Sequence, residues 1–155
     1  MGTTTFKWYV AKHNTVEEKI VSKLTGYDGS QTFSGSASTV RWNFVGGAYG
    51  TIPAYGGHVH HCPADSINGL TTYSGPAIRM LVEDHKKTAS YGSSTSAQQY
   101  RNKQKELINN GQFDKAMQMD VDNNRSLFGS KYDKAIAQMI DYAVSKAYIK
   151  SGFAK

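Results

Sequence analysis

The chain has a single cysteine, three prolines and no long apolar run among its 155 residues. The lone Cys62 excludes an internal disulfide and a thiolate-rich zinc cage, so any metal site would rest on imidazole and oxygen ligands. No apolar stretch approaches the roughly 20 residues that cross a bilayer, and the N-terminus lacks the charged-then-apolar pattern of a signal peptide. The expectation is a chain without a membrane span, exported, if at all, by something outside this sequence. Acidic residues are also scarce: 12 Asp and Glu face 18 Lys and Arg, for a formal charge of +6. That balance suits a polyanionic partner, although surplus lysine also serves solubility. Residues 1–77 carry 5 basic and 4 acidic side chains, a net +1, and residues 78–155 carry 13 and 8, a net +5. The excess in the second part favours nucleic acid as that partner.

A hydrophobic share of 39% with 12% aromatic residues argues for a folded globule, and the length fits one domain, 1–155, with no boundary or internal repeat. Thr5–Val10 is aromatic and β-branched and reads as a strand; Thr15–Leu24 has helical spacing; Gly26–Ser38 has loop composition. Residues 39–44 alternate Val40, Trp42 and Phe44 with Arg41 and Asn43, the period of a half-buried strand. Gly46-Gly47 suits a turn, Tyr49–Tyr55 an extended stretch, and Asp65–Gly75 a polar loop. Pro76–Val82 reads as a strand or as the entry to a helix carrying His85.

The last third is helical by pattern. Ala97, Tyr100, Leu107 and Ile108 mark one helix ending near Asn109-Asn110-Gly111. Phe113, Ala116, Met117 and Val121 begin a second, which Gly129 ends. A third follows Ser130 as N-cap, with a core stripe from Tyr132 through Ala135, Ile136, Met139, Ile140, Ala143 and Val144 to Tyr148. The predicted fold is α+β: an antiparallel β-rich N-terminal half, including 1–50, a strand-turn-helix unit, and a helical C-terminal half.

Histidine is scarce too, and its placement is the functional clue. Of five histidines, four are His58, His60, His61 and His85. Imidazole exchanges its proton near neutral pH, and its neutral form binds divalent metals. Neighbours on a strand point to opposite faces, so His60 and His61 cannot both chelate one ion from an ideal strand. They can divide the work as ligand and general base, or share a site if the chain bends at Pro63, with Asp84 and His85 answering from a second element. His13 stands apart and reads as an ordinary surface histidine. A Cys62/His61 nucleophile pair is weaker, because sequence neighbours diverge on a strand and a lone thiol is usually packed. No Gly-X-Ser-X-Gly elbow or Gly-Lys-Ser/Thr phosphate loop is present. Asp120–Asn124 imitates the start of a calcium loop, but Arg125 and Lys131 stand at its sixth and twelfth positions, so it reads as a solvated helix face.

Read together, His60-His61-Cys62-Pro63-Ala64, Gly75-Pro76-Ala77-Ile78-Arg79-Met80 and Asp84-His85-Lys86-Lys87-Thr88-Ala89-Ser90 resemble the HNH/endonuclease VII superfamily. The likeness is greatest to the His-His-bearing nuclease domains of bacterial polymorphic toxins. It spans roughly 58–145, with Tyr100-Arg101, Gly111-Gln112-Phe113, Met119-Asp120-Val121 and Phe128–Asp133 also similar, and leaves 1–50 unmatched. The resemblance implies a metal-dependent endonuclease in which His60 and His85 hold one divalent ion and His61 deprotonates the attacking water. Relatives supply another histidine or asparagine after the last ligand; here that stretch reads Thr88-Ala89-Ser90-Tyr91, so Asp84, His58 or a water is left to fill the place. The ion, Mg, Zn, Mn or Ni, stays open. Lys86, Lys87, Arg101, Lys103 and Lys105 become candidates for the phosphate backbone, DNA ahead of RNA. The resemblance further implies an effector secreted by, or delivered within, a larger toxin, acting in the target-cell cytoplasm and neutralised by an immunity protein. Two other readings compete: a binding module for carbohydrate or protein with a structural metal or none, and a metal-dependent hydrolase of another substrate.

Overall fold

The computed structural model describes residues 44–151, and backbone contacts divide the chain after Phe44, so that Val45 onward forms a unit of its own. The readings made for Thr5–Val10, Thr15–Leu24, Gly26–Ser38 and 39–44 lie outside the described residues, save Phe44 itself. Among the described residues are three strands, β1 (Gly46–Ala48), β2 (His58–His61) and β3 (Pro76–Met80), in one antiparallel sheet of order β1-β3-β2. Five helices accompany them: α1 (Asp65–Asn68), α2 (Val82–His85), α3 (Thr95–Asn109), α4 (Phe113–Phe128) and α5 (Asp133–Ser145). Short 3-10 turns occupy Tyr49–Thr51 and Thr72–Ser74. The class is the mixed α+β one expected.

β3 is the central strand and all five of its residues are buried. Pro76 is tolerated because it opens the strand, where its carbonyl still accepts from the Cys62 amide at 2.9 Å. Arg79 is fully buried, its guanidinium donating to the Pro53 carbonyl at 2.8 Å and lying 5.5 Å from the Tyr55 ring centre. Among the described residues β2 is an edge strand, and α2 and the following loop come against it.

α5 packs on β1 and β3 through the predicted stripe, with Tyr132, Ala135, Ile136, Met139, Ile140 and Ala143 at 1% exposure or less. The approach is close enough to explain Gly46. A Cβ there would lie 1.9 Å from the Ala135 carbonyl oxygen, so only glycine lets strand and helix meet. Gly46 and Gly47, read as a turn from composition, are therefore strand residues, and the missing side chain of Gly46 serves packing. Tyr49–Tyr55 is likewise not extended throughout, since Tyr49–Thr51 closes into a 3-10 turn with the Thr51 hydroxyl donating to the Ala48 carbonyl at 2.9 Å.

α3 and α4 form a hairpin. Ser94 caps α3 by accepting from the Ala97 amide at 3.2 Å, and Gly111, at φ 74°, makes the reversal expected of it. The expected cap on α5 differs: Tyr132, not Ser130, is the N-cap, and its side chain turns inward rather than bonding the helix amides. Pro76–Val82 resolves both of its readings in sequence, as strand to Met80, one extended residue at Leu81, then helix. No helix of the described residues is long and apolar enough to cross a membrane.

Candidate active site

β2 alternates its side chains, so His58 and His60, opposite Met80 and Ile78, share one face, and His61, opposite Ala77, takes the other. α2 starts two residues after β3 ends and folds back over β2, which carries His85 onto the His58/His60 face. His85 Nδ1 lies 2.9 Å from His58 Nδ1, and His85 Nε2 lies 3.0 Å from His60 Nδ1. Three of the four clustered histidines thus form a chain with His85 in the middle. Tyr91 sets its ring edge against His85, centres 5.0 Å apart. His60 is 3% exposed and its Nε2 is buried with no hydrogen-bond partner. Burial, then the nearby His85 and His61 charges, hold the His60 pKa well below the usual imidazole value; burial, then His58, lower that of His85 to about 4. Both rings are neutral at pH 7, the form that binds metals.

His61 is held separately. Its Nε2 lies 3.0 Å from the Thr72 carbonyl oxygen. A carbonyl only accepts, so Nε2 carries the hydrogen and Nδ1 keeps the lone pair. Tyr49 stacks on the ring at 4.2 Å and 13°, and Asp65 Oδ1 stands 3.7 Å from Nε2. Gly75 closes the other side: a Cβ there would lie 2.6 Å from His61 Cδ2. A neutral imidazole with a fixed tautomer, a braced plane and a carboxylate near the N–H is equipped to take a proton.

A cleft of about 190 Å³ runs along the open edge of β2, and His60, His61, His85 and Tyr91 all line it. The two faces of the strand therefore serve one cleft, although His60 and His61 diverge along β2 itself. Arg101, from α3, donates to the carbonyls of Ser90 and Gly92, which also line the cleft. It reaches the cleft as a brace for that loop. Lys103 and Lys105 sit on the exposed side of α3, Lys86 pairs with Glu83 at 3.0 Å, and Lys87 stands 3.8 Å from Asp84.

Asp84, a candidate ligand by sequence, is turned to α5 and the turn before it. Its Oδ2 accepts from Lys131 Nζ at 2.7 Å and from the Tyr132 hydroxyl at 2.8 Å. Burial pushes its pKa up, but the Lys131 and Tyr132 hydrogen bonds outweigh that and leave the carboxyl below its ordinary range. Its role is to anchor α2. Cys62 is buried, with burial and then Asp120 pushing its thiol up, so it is packed rather than nucleophilic. Asp120–Asn124 is not a solvated face: Asp120, Val121 and Asn124 are buried, and Asp120 accepts from Gln104 Nε2 at 2.7 Å and the Tyr100 hydroxyl at 3.1 Å. Tyr49, Thr72, Gly75 and Tyr91 were missed from sequence. Gly75, Tyr91 and Tyr49 appear in stretches read for other reasons, and Thr72 acts through its backbone carbonyl.

Among the described residues, no group of three or more His, Cys, Asp or Glu side chains converges as a ready metal cage. A two-imidazole site does fit. Metal–nitrogen bonds of about 2.0–2.1 Å in a tetrahedral site place two nitrogens roughly 3.3 Å apart, and His60 Nδ1 and His85 Nε2 stand at 3.0 Å. Opening of that hydrogen bond, with the His60 proton moved from Nδ1 to Nε2, would admit an ion, its other positions left to water or substrate. No family model, curated protein or solved structure matches the chain.

Proposed function

We propose that the chain is a metal-dependent nuclease that hydrolyses phosphodiester bonds in the cleft beside β2. One observation carries this reading. The β2–β3 pair and α2 put two neutral imidazoles, His60 and His85, 3.0 Å apart on one face, while His61 is braced next to them on the other with a free Nδ1. The residues thus separate into a ligand pair and a base, the division that the resemblance to the HNH/endonuclease VII superfamily implies.

His60 and His85 would hold the ion, and their imidazole donors suit zinc or nickel better than magnesium. When bound, such an ion offsets charge that develops on the scissile phosphate. His61 takes the proton of the attacking water at Nδ1, and the resulting imidazolium is stabilised by the Thr72 carbonyl and Asp65 on its Nε2 side. Tyr49 and Gly75 keep the ring from rotating out of line. Lys86, Lys87 and Lys103 contribute positive charge to a polyanionic substrate, each phosphate contact steepening the salt dependence of binding. The +5 net charge of residues 78–155 supports nucleic acid as substrate, and DNA ahead of RNA is part of the proposal. Delivery by a larger toxin into a target-cell cytoplasm, and an immunity partner, belong to the same proposal and rest on the resemblance.

The test is incubation of the protein with plasmid DNA and with RNA across Mg²⁺, Mn²⁺, Zn²⁺ and Ni²⁺, with a chelator control. Cleavage that the chelator abolishes is expected. No cleavage of either polymer with any ion overturns the reading.

A further inference from the structure

His85 is engaged through both ring nitrogens, by His58 at Nδ1 and His60 at Nε2. A neutral imidazole has one N–H, so it donates on one side and accepts on the other. The chain of three rings can therefore run in two directions. In one, His58 Nδ1–H donates to His85 Nδ1 and His85 Nε2–H donates to His60 Nδ1, which leaves the proton of His60 on Nε2. In the other, His60 Nδ1–H donates to His85 Nε2, and His85 Nδ1–H donates to His58 Nδ1.

His60 Nε2 decides between them. It is buried and has no partner. The first direction strands an N–H donor there, and the second leaves only a lone pair; a buried donor without an acceptor is the rarer and costlier defect. We propose that in the metal-free protein His58 is a positioning residue whose Nδ1 accepts the His85 Nδ1 proton and, together with the His60 Nδ1–H donor, holds His85 in the Nδ1–H tautomer with the Nε2 lone pair aimed at His60. The consequence for metal binding rests on the nuclease reading above, whereas the tautomer does not. A ligand histidine is held ready when its far nitrogen donates to a fixed acceptor, and loss of that acceptor costs about 10–100-fold in metal affinity. His58 also stacks edge-on to His85, ring centres 5.1 Å apart and planes at 87°, so its ring and its acceptor are placed together.

The test compares the full wild-type chain with His58→Leu, which removes the acceptor, and His58→Asn, whose side-chain oxygen can stand where Nδ1 stood. Two-bond ¹H–¹⁵N spectra of the metal-free proteins read each ring's tautomer, and zinc titration then reads affinity. Wild type and His58→Asn are expected to show His85 protonated at Nδ1; His58→Leu shifts His85 toward Nε2–H and loses about 10–100-fold in zinc affinity. His85 protonated at Nε2 in the wild type overturns the proposal, and that single spectrum decides the point even if His58→Leu does not fold. Weaker zinc binding in His58→Leu with an unchanged His85 tautomer also overturns it, because His58 would then be a ligand itself. The expected tautomers with no zinc binding by any of the three proteins uphold the positioning role and count against the nuclease reading alone.

Discussion

Two buried polar clusters lie in the same unit and are built on opposite principles. The histidine chain sits at an open sheet edge against a cleft, and its middle member is reached by rings from both sides. The other cluster is closed between α3 and α4: Asp120, 2% exposed, accepts from Gln104 and Tyr100, and Gln104 also donates to the Ala116 carbonyl at 3.0 Å. Each keeps an orphan, His60 Nε2 in the first and Gln104 Oε1 in the second. The orphan of the first belongs to a ring whose other nitrogen faces a possible ion. That of the second lies within a sealed helix pair. Burial of polar groups thus marks chemistry in one place and helix register in the other, and the presence of a cleft tells them apart.

The sharpest way to break this contrast is to remove the base. His61→Ala is expected to lower nuclease turnover by about 10²–10⁴-fold, the usual contribution of a positioned general base. Its circular dichroism should stay close to that of the wild type, while the unfolding midpoint falls modestly, because the ring is buried, stacked on Tyr49 and bonded to the Thr72 carbonyl. Undiminished cutting would remove His61 from the mechanism.

The second way is pH, because the clusters shift in opposite senses. Burial raises the Asp120 pKa from 3.8 to about 7, with the Gln104 and Tyr100 hydrogen bonds opposing. The folded state then binds the proton more tightly than the unfolded one, so this contribution is full below pH 3.8 and is lost as pH rises through about 7. A shift of about 3 units corresponds to a loss on the order of 4 kcal/mol. His85 does the reverse: its pKa falls from 6.5 to about 4, so its contribution is present above pH 6.5 and is lost as pH falls toward 4. In chelator, denaturant midpoints of Asp120→Asn across pH 4–8 should lose the decline toward pH 7, and those of His85→Asn should lose the decline toward pH 4. If Asp120→Asn keeps the wild-type slope, Asp120 is ionised in the fold and the contrast fails.

Gly75→Ala probes the bracing of His61 with smaller effect. Gly75 has φ −65° and ψ 138°, which alanine adopts freely, so the added Cβ acts chiefly through its 2.6 Å approach to the His61 ring, with Asn68 Nδ2 next at 3.3 Å. Turnover is expected to fall by about 10–100-fold, as for a reacting group displaced by about 1 Å, with substrate KM little changed. A drop in KM performance alone would place Gly75 in binding instead.

The helices and the two-faced β2 strand were legible in sequence because hydrophobic period and strand alternation are local: the stripe from Tyr132 to Ala143 is buried as read, and His60 and His61 diverge as alternation demands. What sequence could not yield is set by chain segments far apart. Gly46 looks like a turn residue until the Ala135 carbonyl is placed against it, and Asp120 looks solvated until Gln104 and Tyr100 arrive from α3. The candidate site divides the same way. Its histidines were visible by scarcity and spacing, whereas the Thr72 carbonyl that fixes the His61 tautomer belongs to a backbone and has no sequence signature.

Asp84 is the instructive case, since adjacency to His85 suggested a ligand and the fold uses it as an anchor. Tyr132 accepts from the Leu81 amide at 3.1 Å and donates to Asp84 at 2.8 Å, so one hydroxyl ties both ends of the β3–α2 junction to the start of α5. Tyr132→Phe keeps the ring in the core and removes only that hydroxyl. The expected loss is about 1–3 kcal/mol of stability, because the half-buried Leu81 amide and one Asp84 bond go unmet. Lys131 still holds Asp84 Oδ2 at 2.7 Å, so α2 should stay in place and the His85 tautomer should not change. A Tyr132→Phe protein of wild-type stability but altered His85 tautomer would mean that α2 is steered by the hydroxyl itself rather than by the Asp84–Lys131 pair.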